Sequence, residues 1–205
     1  MSRLYEYRRI EVRPHGWPEV AEQIGTTRRR AVEEAGGSLF GLWTGQIGMG
    51  SNEAVAMTVW PDEAAHSKHA PQLVESVGGI VSSSAERLVL RARSEDPEPP
   101  TGPGIYAHRW FEILAEDRAE FVDLSEAAWP DFETSYDASI VGLWETRDPT
   151  PPTSRLLLLT RYGSLAVWER SRSARTDRER EAWQRFLRRH TLTRSTIVST
   201  TLLAG

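Results

Sequence analysis

The chain opens on a run of aliphatic and tyrosine residues, Leu4 to Val12, free of breakers until Pro14 and Gly16, which predicts a strand. Helical spacing follows. Val20, Ala21, Ile24, Ala31, Val32 and Ala35 make one apolar stripe that starts after Pro18, a residue suited to a first helical turn, and stops at Gly36-Gly37. Leu39 to Trp43 and Ala54 to Trp60 read as two short strands, joined as a hairpin by the Gly48-Met49-Gly50-Ser51-Asn52 turn. Pro61-Asp62 begins a second helical region that Pro71 interrupts, Gly78-Gly79 closes it, and Arg87 to Leu90 is a fourth strand. The order is β-α-β-β-α-β, the ferredoxin-like arrangement.

The pattern then repeats. Arg8 and Arg109, Glu11 and Glu112, Glu19 and Glu120, and the triplets Gly41-Leu42-Trp43 and Gly142-Leu143-Trp144 all share one offset. After the Asp148 to Pro152 turn the register slips by one residue, so that Thr58 meets Thr160, Trp60 meets Tyr162 and Ala64 meets Ala166. Asp177 to Arg189 predicts a helix with Ala182, Trp183, Phe186 and Leu187 on one face, before Thr196-Ile197-Val198 enters the last strand. Residues 1–93 form a first repeat, the Pro-rich stretch 94–103 a linker, and 104–205 a second repeat. A single unit of this kind covers one face of its sheet with helices and leaves the other bare. Two units packed sheet to sheet give the expected fold class, an α+β pseudo-dimeric barrel of two tandem ferredoxin-like repeats with an internal cavity between them.

Composition narrows the function without naming it. A net charge of −4 and a sequence pI near 5.8 argue against a nucleic-acid partner, and no apolar run reaches the length of a membrane span. The absence of Cys excludes thiolate metal sites and Cys nucleophiles, and the lack of a secretory signal pattern fits a cytoplasmic location. Lys68 is the one lysine among 25 basic residues, and the arginines at 28–30 and through 170–189, interleaved with acids, read as solvated helix faces.

The run Leu4-Tyr5-Glu6-Tyr7-Arg8, the Asn52-Glu53 entry to a strand ending at Trp60, and Arg161 to Leu165 followed by Trp168 resemble NIPSNAP-type proteins of the dimeric α+β barrel superfamily. The resemblance covers both halves and implies the same fold. Relatives in that superfamily include cofactor-free oxygenases, polyketide cyclases and haem enzymes, so it implies a small-molecule function rather than one reaction. The second half departs from the pattern at His108, where an aliphatic residue is usual, and at Trp110-Phe111.

Candidate chemistry is scattered. His108 is the acid/base candidate, with Arg109, Arg8 and Tyr106 as further catalytic candidates, because a neutral imidazole moves protons near pH 7 and an Arg holds a carboxylate or enolate. For Arg8 and Arg109 a structural salt bridge to Glu6, Glu11 or Glu112 is the competing reading. Tyr5, Tyr7, Trp43, Trp60, Trp144, Tyr162 and Trp168 are candidate ligand-binding residues, against the alternative of core packing. No metal site is assigned; Asp62, His66 and His69 have ligand-like helical spacing, and haem is a minority alternative to a cofactor-free site. The expected activity is cofactor-free proton transfer or oxygenation of an apolar aromatic or polyketide-like ligand, a reaction of secondary metabolism. The alternative is a non-catalytic ligand-binding or assembly protein. Each half pairs either with the other or with another chain, so a homo-oligomer stays open.

Overall fold

The computed structural model describes residues 3–93 and 97–204, so Ser94 to Asp96 of the expected linker lie outside the described residues. The chain divides into two compact units: Met1–Leu90 with Glu98–Gly102 and Thr200–Gly205, and Arg91–Pro97 with Pro103–Ser199.

The first unit contains β1 (Leu4–Val12), α1 (Trp17–Gln23), α2 (Arg29–Glu34), β2 (Ser38–Ile47), β3 (Glu53–Trp60), α3 (Glu63–His69) and β4 (Ile80–Ala92, which runs on into the second unit). A π-helical turn, Ile24–Arg28, joins α1 to α2, so the expected single helix is continuous but underwound at its centre. Pro18 sits in the first turn of α1, and Pro71 stands in the 3-10 turn Ala70–Leu73 that follows α3. β4 begins at Ile80, earlier than the apolar run at Arg87 indicates, because Val81 to Ala85 are exposed and need no apolar side chain. The strand order is β4-β1-β3-β2 and all pairings are antiparallel.

The second unit repeats this order with β5 (Ile105–Leu114), α4 (Arg118–Ser135), β6 (Ala138–Thr146), β7 (Thr153–Tyr162), α5 (Leu165–Arg170), α6 (Asp177–Thr191) and β8 (Thr193–Leu203). Its strand order is β8-β5-β7-β6. The last residues of β8, from Thr200, instead pair with β2 and belong to the first unit. Helix α6 starts at a capping box in which the Thr176 hydroxyl accepts from the Glu179 amide while the Glu179 carboxylate accepts from the Thr176 amide.

Each sheet buries an alternating set of side chains beneath its own helices. In the first unit Ile10, Leu42, Ala56 and Trp60 pack with Val20 and Val32. In the second, Phe111, Leu143, Leu156 and Leu158 pack with Phe121 and Phe132. The inner face of α6 differs from the expected one. Ala182, Phe186 and Arg189, at i, i+4 and i+7, carry it, whereas Leu187 is 49% exposed. Arg189 is 1% exposed, so it departs from the solvated face expected for the arginines of 170–189. Its guanidinium lies over Phe111 at 4.7 Å, Phe186 at 4.8 Å and Phe121 at 5.3 Å, and these ring faces compensate part of its lost hydration.

Candidate functional site

Strand alternation divides the candidate residues between the two faces of each sheet. On β1, Glu6 and Arg8 share the helix-covered face with Ile10, and Tyr5 and Tyr7 occupy the other; Trp60 is on the covered face at the end of β3. On β5, Ala107 and Arg109 share the covered face with Phe111, while Tyr106 and His108 point to the opposite side. Tyr5, Tyr7, Trp43, Tyr106, His108 and Trp144 are all buried. Burial alone lowers the His108 pKa to about 3, so its imidazole is neutral at pH 7 and a weak base. His108 and Arg109, adjacent in sequence, therefore serve different surroundings.

In the first unit the covered face is neutralised internally. The Arg8 guanidinium donates to Glu6 Oε1 at 2.8 Å, and His66 Nε2 lies 2.8 Å from Glu6 Oε2. Glu6 is 3% exposed and His66 8%. One buried carboxylate thus bridges two nitrogen donors carried by β1 and α3, the salt bridge that the sequence offered as the structural reading of Arg8. Trp60 closes the group, its indole donating to the Thr58 hydroxyl at 2.9 Å with its ring edge-on to His66.

The second unit places an alanine where that carboxylate stands. Glu6 faces Thr58 and Arg8 faces Ala56 across β1 and β3; Ala107 faces Thr160 and Arg109 faces Leu158 across β5 and β7. The registers coincide residue for residue. Arg109 has no carboxylate partner among the described residues, in contrast to the competing expectation of a salt bridge with Glu112. It lines a cavity beneath α4 and α6, together with Arg189, Tyr162, Phe132, Trp183 and Ser171. Water centres have about 30 Å³ of free space there, room for two or three water molecules at about 10–15 Å³ each.

The cavity is a region of positive potential. Arg189 donates from Nη1 to the Ser125 hydroxyl at 3.2 Å, but its Nε is buried with no hydrogen-bond partner, and no carboxylate pairs with it among the described residues. Burial, reinforced by the Arg109 charge, lowers its pKa to about 9, which leaves it cationic at pH 7. Burial also lowers the Arg109 pKa and raises that of Tyr162. His190 beside them is pushed down by burial and then by Arg189, Arg109 and Arg172. Two guanidiniums, a tyrosine hydroxyl and an aromatic wall can hold an anionic oxygen on an apolar body.

Of the candidates, this cavity brings together Arg109 and Tyr162, and Trp168 packs against the same core without lining it. Arg189, Arg172, Ser171, Thr160 and Trp183 are additional members. Two features of the sequence could have marked the cavity: the helical spacing of Arg189 from Ala182, and the change of Glu6 to Ala107 between otherwise matching strands. Asp62 caps α3 through the Ala65 amide, His66 is held by Glu6, and His69 Nδ1 lies 3.1 Å from Gln72. Among the described residues no group of three potential ligands converges on a metal position. Haem does not fit the second-unit cavity, which has no histidine in its lining and room for only a few atoms.

No curated protein sequence matches the chain. Solved structures share its fold over nearly its full length. An anthrone oxidase-like protein aligns with a TM-score of 0.65 at 11% identity, covering 100% of this chain and 92% of its own. A mutant chlorite dismutase from Candidatus Nitrospira defluvii aligns at 0.64 and 6% identity, covering 100% and 93%. A candidate monooxygenase from Lactobacillus acidophilus aligns at 0.61 and 11%, covering 99% and 94%. The first repeat carries the sequence relationship: residues 5–95 match the model of the NIPSNAP family, which bears out the resemblance seen in Leu4 to Arg8 and in the Asn52-Glu53 entry to β3.

Proposed function

We propose that the chain is a small-molecule protein that binds an apolar aromatic compound by an ionised oxygen in the cavity of the second repeat, and promotes proton transfer or oxygenation on it without a cofactor. The observation that carries this reading is the Arg109 and Arg189 pair, cationic and without a carboxylate, facing an aromatic-walled cavity. Positive charge at low local dielectric lowers the pKa of an enol or phenol bound there and stabilises its anion. Tyr162 supplies a hydroxyl donor, and Phe132, Trp183 and Phe186 supply the apolar contact. Fold neighbours named as an anthrone oxidase-like protein and a candidate monooxygenase support the reaction class.

For an anthrone-type substrate the balance is simple. The ionised ring system gives electrons to O2, the methylene carbon becomes a carbonyl, and the second oxygen atom leaves as water. Only the oxygen-bearing edge of such a ring enters the cavity, given its size. His108, on the opposite face of β5, takes no part. The test is oxygen uptake with anthrone as the probe. Uptake above the buffer rate, falling about tenfold or more in Arg109→Met, is expected. Uptake equal in wild type and Arg109→Met sinks the reading.

A further inference from the structure

The two repeats differ by one carboxylate beneath their helices. In the first repeat a carboxylate, that of Glu6, bridges Arg8 and His66 beneath the helices, with 2.8 Å contacts to each. In the second, the strand register puts Ala107 at the Glu6 position and Arg109 at the Arg8 position, and both line the cavity. Removing a carboxylate from a partly buried arginine leaves an uncompensated charge, an unfavourable arrangement unless something else supplies the anion. A second cation, Arg189, adds to that cost on the same cavity, and its buried Nε is without a partner. The free space of about 30 Å³ matches a group of three heavy atoms at about 10–15 Å³ per water-sized centre.

We propose that the second-repeat cavity is a carboxylate site, in which the carboxylate of an aromatic or apolar monocarboxylic acid replaces the missing side chain and bridges Arg109 and Arg189. The assignment rests on the reading of this cavity as the small-molecule site but takes a carboxylate, in place of an enolate or phenolate, as the anion held between the arginines. Ser171, Thr160 and Tyr162 bring hydroxyl groups to the cavity, which admits the carboxylate, and the apolar body of the acid extends out of it past the exposed Arg172.

The experiment uses the full chain at pH 7 and constant ionic strength, with acetate and benzoate as probes and benzamide as the neutral isostere. Saturating benzoate raises the melting temperature by on the order of 5 °C, whereas benzamide leaves it unchanged. Arg109→Met and Arg189→Met each weaken benzoate binding about tenfold or more in calorimetric titration. Ala107→Glu carries the carboxylate in the chain itself, so it abolishes the benzoate response and, without ligand, melts higher than Ala107→Gln, which fills the same space without charge. Equal binding of benzoate and benzamide overturns the carboxylate assignment while leaving the cavity a small-molecule site. Benzoate binding unaltered in both Met variants and in Ala107→Glu overturns the assignment and the choice of cavity together. Failure of both acetate and benzoate to bind, with Ala107→Glu no more stable than Ala107→Gln, also overturns it.

Discussion

Ala107 stands in the second repeat where Glu6 stands in the first, each directly opposite a threonine of the neighbouring strand, Thr160 and Thr58. The same strand position is therefore occupied in one repeat and vacated in the other, while the arginine two residues on is kept in both. That asymmetry separates a structural ion pair from a candidate binding site. It predicts opposite outcomes for carboxylate removal and carboxylate addition.

Glu6→Ala should be strongly destabilising. It leaves the Arg8 guanidinium without its carboxylate and His66 Nε2 without its hydrogen-bond partner, in a region where Glu6 is 3% exposed. Breaking one partner out of a buried pair costs about 3–5 kcal/mol. Urea unfolding of the variant measures this directly, and a loss below about 1 kcal/mol, the range of surface pairs, would contradict the buried-network account. Acetate should recover part of the loss, because the vacated site then resembles the one at Arg109.

Arg189→Met should leave the fold at least as stable as wild type. The guanidinium is enclosed by Phe111, Phe121 and Phe186 with an unpartnered Nε, so an apolar side chain of similar length loses little and removes a desolvated charge. The sign follows from the lowered pKa of about 9: the folded state binds this proton less tightly than the unfolded state does, so the charge opposes folding at pH 7. Arg189→Ala, by contrast, opens a void among three rings and should cost about 2–4 kcal/mol in chemical denaturation. A Met variant as unstable as the Ala variant would show that the arginine holds the helix rather than a ligand.

The fold was legible because both repeats keep the same breakers and the same apolar periods. Gly36-Gly37, Pro71 and Gly78-Gly79 fall at or beside element ends in the first repeat, and one shared offset places the second. Arg109 and Tyr162 stand out in the sequence as a strand arginine amid apolar neighbours and a tyrosine hydroxyl, and the fold puts both on the lining of one cavity. Arg189 does not stand out, because a charged residue in an Arg-rich helix looks solvated until the helix is rotated against its sheet. The four-residue spacing of Ala182 and Phe186 continues to Arg189 three residues later, and Leu187, the apolar alternative, is the one that turns outward. The grouping of His108 with Arg109 failed for a simpler reason: neighbours on a strand face opposite ways.

His108 should govern part of the acid limb of stability. Its pKa falls from 6.5 to about 3 on folding because its burial excludes the imidazolium. For a base with a depressed folded pKa, the unfolded state takes up the proton first as pH falls. Its contribution is therefore intact above pH 6.5 and is lost progressively as the pH drops toward 3, at up to about 1.4 kcal/mol per pH unit. His190 also has a lowered pKa, so the informative comparison is between variants: His108→Leu should flatten the stability profile in this window, and His190→Gln should change it less. Identical slopes for wild type and His108→Leu would show that the imidazole charges freely in the folded state.

The paired triplets Gly41-Leu42-Trp43 and Gly142-Leu143-Trp144 make the last prediction, because their glycines have a shared steric reason. A Cβ on Gly142 would lie 2.6 Å from Cη2 of Trp144, and one on Gly41 would overlap the ring of Trp43. Both indoles are fully buried, so neither ring can swing into solvent to make room. Each glycine also stands where its strand pairing shifts register, between Leu39 and Gly41 in β2 and between Ile140 and Gly142 in β6. The irregularity lays the tryptophan ring back over the bare Cα two residues before it. Gly41→Ala and Gly142→Ala should each cost about 1–3 kcal/mol by overpacking, although alanine would lower the entropy of the unfolded chain. The double substitution Gly142→Ala with Trp144→Phe removes the outer ring and should recover a fraction of that loss, a coupling that a double-mutant cycle in urea reads out. Additive effects of the two changes would rule out the contact as the reason for the glycine.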